Sequence, residues 1–185
     1  MGPFLKVFIS GPPGVGKSTV LDKARAMFQA RGYKVGGVSC PEVRKSGVRI
    51  GFRVVDVASD ISGVLSEVKP GCGGPKVGKY TVNLLDLDSV GARALDYAVR
   101  EADVVMIDEV GPMELMSKAF QAAVLRAVNS PRHVMGILHW RMEHPLISAI
   151  RSRDDVEFEE VTPQNRDYLP MQIVEKLVAE APKKA

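Results

Sequence analysis

Gly11-Pro12-Pro13-Gly14-Val15-Gly16-Lys17-Ser18-Thr19 satisfies G-x-x-x-x-G-K-[ST], the pattern of a phosphate-binding loop. Its flanks supply the context such a loop needs. Upstream, Leu5-Lys6-Val7-Phe8-Ile9 is an apolar run of strand length; downstream, Val20, Leu21, Ala24, Met27 and Phe28 recur at helical spacing until Gly32. A strand, a glycine-rich turn and a helix in that order aim backbone N–H groups and a helix N-terminus at one point, which attracts phosphate. Lys17 adds a full positive charge near the terminal phosphates, and Ser18 offers a hydroxyl to Mg2+.

Outward from the loop, Tyr33 to Val38 is expected to form a second strand and Pro41 to Gly47 a loop. The period then changes. Val48, Ile50, Phe52 and Val54 alternate with Arg49, Gly51, Arg53 and Val55, and Tyr80, Val82 and Leu84 alternate again. Between them, Lys69 to Lys76 holds three glycines, two prolines and Cys72, a surface-loop composition. Two alternating strands within 48–85 predict an antiparallel ribbon inserted between strand–helix units.

The remainder returns to an α/β rhythm. Val90, Ala94, Leu95, Ala98 and Val99 give a helix face, and Ala102 to Ile107 is a continuous apolar strand of the kind buried on both faces of a parallel sheet. Phe120, Ala123, Val124, Ala127 and Val128 give another helix, closed by Asn129-Ser130-Pro131. A strand over Val134 to Leu138, a helix opened by Pro145, a strand over Val156 to Val161 and a terminal helix burying Leu169, Ile173, Val174 and Leu177 complete the chain. The expected fold is one three-layer α/β domain over residues 1–185, mainly parallel, with an antiparallel excursion.

The strand Val104-Val105-Met106-Ile107 ends in Asp108-Glu109, the second part that a nucleotide hydrolase needs. Asp108 would hold Mg2+ directly or through water, and Glu109 would polarise the attacking water. Gly111 and Pro112 make a turn, and Glu114 either caps the next helix or faces the site. Arg44, Arg49 and Arg53 would grip phosphate if they share a face, with an exposed sheet face as the alternative; Arg44 and Gly111 join the nucleotide-contacting candidates. Lys79 is a further nucleotide contact, whereas Tyr80 is expected in the core. His133, His139 and His144 lack metal-site spacing and are expected to be structural or surface residues, and Asn165 or Thr162 to cap the terminal helix.

Bulk composition narrows the function classes. The chain has 185 residues, 45% hydrophobic, enough for one buried core. Apolar runs fall short of the ~20 residues that span a bilayer and the N-terminus lacks a secretory pattern, so a cytoplasmic protein without membrane contact is expected. Cys40 and Cys72 form no C-x-x-C pair and are expected to be reduced bystanders. Net charge is +3, but acids and bases are interspersed and only Lys183-Lys184 clusters, so nucleic acid is not expected as a partner.

Taken together, the ordered landmarks resemble the THEP-type, or cancer-related, nucleoside-triphosphatase family nearly end to end. They are the phosphate loop, Glu42-Val43-Arg44 with Gly47-Val48-Arg49-Ile50-Gly51-Phe52, Val77-Gly78-Lys79-Tyr80-Thr81-Val82, Ile107-Asp108-Glu109-Val110-Gly111-Pro112-Met113-Glu114-Leu115 and Val161-Thr162-Pro163-Gln164-Asn165-Arg166. The resemblance implies a RecA-like P-loop fold and slow, Mg2+-dependent hydrolysis of ATP, GTP, CTP and UTP to diphosphate and phosphate. Two departures stand out: Pro112 replaces a lysine common in the family, and His139-Trp140-Arg141-Met142-Glu143-His144 replaces a loop containing lysine and glycine. A nucleotide or small-molecule kinase that leaks phosphoryl groups to water is the alternative enzyme. A nucleotide-dependent switch or RNA-associated module is the non-catalytic one, without support from an N-K-x-D element, an ABC-type signature or a helicase motif set.

Overall fold

The computed structural model describes residues 4–69 and 73–180, so Cys72 and Lys183-Lys184 lie outside the described residues. In chain order the elements begin with β1 (Lys6–Ser10), α1 (Lys17–Ala30), β2 (Val35–Ser39), β3 (Glu42–Lys45), β4 (Val48–Asp56) and β5 (Ser62–Glu67). Then come β6 (Lys76–Val77), β7 (Tyr80–Val82), α2 (Leu84–Asp86), π-helical turns over Leu87–Ala92, α3 (Arg93–Glu101) and β8 (Val104–Val110). A 3-10 turn (Glu114–Met116), α4 (Lys118–Asn129), β9 (His133–Leu138), α5 (Pro145–Arg151), β10 (Val156–Glu160) and α6 (Leu169–Glu180) complete the order.

The strands form one sheet in the order β10-β1-β9-β8-β2-β4-β5-β7-β6, with β3 paired to β4. From β10 to β2 every pairing is parallel. These strands are the apolar runs that the sequence marks as buried on both faces. Val7 and Ile9 pack with α1 and α6, while Phe8 between them packs with α3, α4 and α5. Val104 and Met106 likewise face one layer and Val105 and Ile107 the other, so alternation of direction with uniform apolarity produces three layers. Phe8, Phe28 and Phe120 are fully enclosed. Gly136 lets β9 lie against β1, because a Cβ there would stand 2.5 Å from the Phe8 ring.

Beyond β2 the sheet turns antiparallel, and this excursion is larger than expected: β3, β4, β5, β6 and β7 all belong to it. Pro41 to Gly47, expected as a loop, contains β3, which forms a hairpin with β4 through Ser46 and Gly47 at φ of 50° and 77°. Its residues are mostly exposed and charged, so no apolar period announces it. β5 fills the segment between the two expected strands, holding its place by pairing with β4 rather than by core contact alone. Leu84 does not extend β7: Asn83 caps α2, its Oδ1 accepting the Asp86 N–H at 3.2 Å.

The strand order also fixes where ligands can meet the chain. β9 lies between β1 and β8, so the phosphate loop after β1 and the acids at the end of β8 flank the end of an intervening strand, at the carboxyl edge of the parallel strands where α/β sheets bind ligands. Among the described residues no helix is long and apolar enough to cross a membrane.

Candidate active site

The loop between β1 and α1 takes its shape from glycine. Gly14 and Gly16 have φ of 78° and 111°, values that other residues rarely adopt, and a Cβ on Gly11 would stand 2.8 Å from the Val161 carbonyl. Helix α1 opens immediately at Lys17. Lys17 Nζ donates to the carbonyl oxygens of Gly11 at 2.8 Å and Pro12 at 3.1 Å, bridging its own loop. Ser18 Oγ donates to Asp108 Oδ1 at 3.3 Å, joining loop and acidic strand across 90 positions of sequence.

Three carboxyl groups meet there. Asp108 is 7% exposed; burial, reinforced by the negative charge of Glu109, pushes its carboxyl up to about 6, against a hydrogen bond from the Cys40 backbone N–H. Burial also raises Glu109, opposed by the cationic Lys17. Glu114 is 5% exposed and pushed up to about 8 by burial and then by Glu109; its carboxylate accepts its own backbone N–H and that of Gly111. Ser117, not Glu114, caps α4, its Oγ accepting the Phe120 N–H at 2.9 Å, so Glu114 takes the site-facing option of the two open from sequence. Glu109 folds over Gly111, where a Cβ would lie 2.4 Å from its Oε1.

These groups line a cleft of about 840 Å³. Gly11, Pro13, Gly14, Gly16, Lys17, Ser18 and Thr19 form its floor, and Asp108, Glu109 and Glu114 one side. Pro12 contributes its carbonyl to Lys17, and Val15 is buried with its own carbonyl 3.4 Å from Arg166 Nη1.

The arginines expected to share a strand face do not converge. Arg44 stands on the exposed hairpin, bonded to Glu42 and to the Gly47 carbonyl at 2.9 Å each, outside the cleft lining. Arg53 turns to Ser62; on β4 the extra residue is Ile50, where the pairing with β3 steps from Val43–Gly51 to Arg44–Arg49, so Arg49 and Arg53 are not related by simple alternation. Of the three, Arg49 alone reaches the cleft, held by Glu42 at 2.7 Å and by the Tyr80 hydroxyl at 3.0 Å. Tyr80 is buried as expected, and Lys79 lies over its ring.

Other residues divide the same way. The Leu5 N–H donates to His133 Nδ1, and His144 caps α5, accepting the Leu146 N–H; both act structurally. Asn165 closes the turn before α6 by accepting the Thr162 N–H at 2.8 Å and donating to the Glu160 carbonyl at 2.7 Å. His139 lines the cleft together with Trp140 and Arg141, whose guanidinium stacks 4.0 Å from the Trp140 ring centre. Cys40 also lines the cleft, its thiol raised by burial and then by the three acids. The sequence carries no signal for that placement, since Cys40 reaches the acids only through the pairing of β2 with β8.

A glycine-rich strand-to-helix loop, a parallel sheet and strand-end acids one strand away define a P-loop nucleotide enzyme. The family model described as NTPase matches residues 6–174, and the chain belongs to this NTPase family. It is 43% identical over 172 residues to the nucleoside-triphosphatase THEP1 of Thermofilum pendens, covering 92% of this chain and 94% of that protein. Over 175 residues it is 43% identical to the THEP1 of Methanosarcina acetivorans, covering 94% and 97%. The crystal structure of THEP1 from Aquifex aeolicus superposes with a TM-score of 0.81 at 31% identity, covering 94% of this chain and 99% of that one. The solution structure of a human cancer-related nucleoside triphosphatase gives 0.81 at 36% identity, covering 96% and 100%.

Proposed function

We propose that the chain hydrolyses nucleoside triphosphates to diphosphate and phosphate with Mg2+, accepting ATP, GTP, CTP and UTP. The observation that carries this is the Ser18–Asp108 contact at 3.3 Å beside Lys17, with Glu109 next in the chain. The donor set fits the metal: a hydroxyl and a carboxylate oxygen suit a hard cation that keeps several waters. Lys17 acts on Glu109, and a divalent ion would offset the burial and the repulsion from Glu109 that raise Asp108. Ser18 and Asp108 would hold Mg2+, which would supply positive charge against the phosphate oxygens.

The protein's own groups supply the rest. Backbone amides of residues 14–18 receive the phosphates, and Lys17 exchanges the carbonyls of Gly11 and Pro12 for phosphate oxygens. Glu109, fixed over Gly111, orients the attacking water and takes its proton. Phosphoryl transfer passes through a loose transition state, so positioning and electrostatics do most of the work. The apolar surfaces of Phe52, Val77, Met113 and Trp140 in the cleft support tolerance of any base, since each base presents a flat face. For a kinase, the acceptor grip expected from three arginines would have to form from Arg49 alone, which is already committed to Glu42. That favours water as acceptor. A cytoplasmic setting is proposed for the same activity.

The test is phosphate release from the four triphosphates with Mg2+, for wild type, Lys17→Ala and Glu109→Gln, with nucleosides and monophosphates added as acceptors. All four substrates should yield phosphate, both variants should lose it, and no acceptor should become phosphorylated. Faster capture by one acceptor than by water would make the site a kinase's.

A further inference from the structure

We propose that His139 is a catalytic residue whose Nε2–H donates a hydrogen bond to the terminal phosphoryl group during its transfer to water. This role rests on the hydrolase reading of the cleft and adds a donor that neither the phosphate loop nor the acidic strand supplies.

Position is the first observation. His139 directly succeeds β9, and β9 lies between the strand that leads into the phosphate loop and the strand that ends in Asp108 and Glu109. Its side chain lines the same cleft as Lys17 and Glu109, close enough to Lys17 to feel its charge. The backbone holds it there: the His139 N–H donates to the Val110 carbonyl at 3.1 Å, and its carbonyl accepts Arg151 Nη2 at 3.3 Å.

The second observation is chemical. His133 and His144 each have a structural hydrogen bond through Nδ1, whereas Nδ1 of His139 is sealed from solvent without a hydrogen-bond partner among the described residues. Leaving a buried polar atom unpaired is destabilising, so folding stability alone does not account for a histidine here. Burial, Lys17 and Arg151 all disfavour the imidazolium, which leaves a neutral ring with one proton. A proton on Nδ1 would be a buried donor with no acceptor among these residues, so we assign the proton to Nε2. The result is an uncharged donor in the cleft, able to bond a phosphoryl oxygen as its charge develops without competing with Lys17 for position.

The choice of nitrogen makes the test sharp. In glutamine the terminal NH2 stands near the place of imidazole Nε2, and in asparagine near that of Nδ1. His139→Ala should lower kcat on the order of 100-fold, the cost of losing one transition-state donor, with KM changed by less than about threefold. His139→Gln should recover most of the rate and His139→Asn little. Binding of ADP with aluminium fluoride and Mg2+ should weaken in His139→Ala by about the same factor as kcat, while ADP binding alone stays constant. The proposal is overturned if His139→Ala keeps the wild-type kcat, if asparagine rescues and glutamine does not, or if ADP and its fluoride complex weaken equally. Lys17→Ala and Glu109→Gln run alongside: wild-type hydrolysis by both overturns the site assignment itself, whereas dead controls beside a fully active His139→Ala overturn only the role of His139.

Discussion

The parallel half of the sheet, β10 to β2, and the antiparallel half, β3 to β7, differ in what holds them and in what they carry. The parallel strands are covered by helices on both faces and end at the phosphate loop, the acid pair and His139. The antiparallel strands expose β3 and much of β4 and contribute one wall of the cleft through Glu42, Arg49 and Phe52. The difference separates chemistry from enclosure. On the proposed reading, groups that must hold a fixed geometry stand on strand ends locked between two layers, and the wall proposed to surround the base stands on the antiparallel sheet.

That division sets a ranking of effects. Lys17→Ala, on the parallel side, should cut phosphate release by at least about 1,000-fold, because it removes the charge beside the terminal phosphates. Arg49→Ala, on the antiparallel side, should stay within about tenfold, and the same assay decides whether the two halves differ as claimed. Phe28→Ala should destabilise the fold by about 3–5 kcal/mol in urea titrations, since the ring is fully buried between α1 and the sheet. Gly111→Ala should leave stability nearly unchanged but lower kcat on the order of 100-fold, because the new Cβ occupies the place of Glu109 Oε1; nucleotide binding measured by titration should persist.

A smaller effect concerns pH. With Glu114 raised to about 8 and Asp108 to about 6, the folded chain holds protons that the unfolded chain has already released above their ordinary values. Without metal, stability should therefore fall as pH rises from about 4.5 towards 8, and Glu114→Gln should flatten part of that fall in urea titrations at pH 5 and pH 8. The smallest change is expected for Arg44→Ala: its exposed pairing with Glu42 should be worth less than about 1 kcal/mol in the same titrations.

Legibility divides along the same boundary between the halves. Val104 to Ile107 and Val134 to Leu138 read as strands because burial on both faces leaves continuous apolar runs, and Pro145 marks its helix by opening it. β3 does not read as a strand, because Glu42, Arg44 and Lys45 pair along an exposed hairpin where no burial pattern is required. The phosphate loop and Asp108-Glu109 are legible as motifs, since local chemistry at fixed spacing defines them. Arg53 misleads because the extra residue Ile50 on β4 interrupts its alternation with Arg49, and Arg44, though paired directly opposite Arg49, is tied to Glu42 and the Gly47 carbonyl on the exposed hairpin. Cys40 and His139 are invisible as site residues for another reason: each comes to the acids through a parallel strand pairing between distant segments, which leaves no trace in neighbouring sequence.

Glu109→Gln tests the central claim most directly, with nucleotide affinity and single-turnover hydrolysis measured on the same preparation in Mg2+. The account predicts triphosphate binding close to wild type and hydrolysis slowed by about 100-fold or more, because the amide keeps the shape over Gly111 but takes up no proton. Hydrolysis at the wild-type rate with unchanged binding would contradict it.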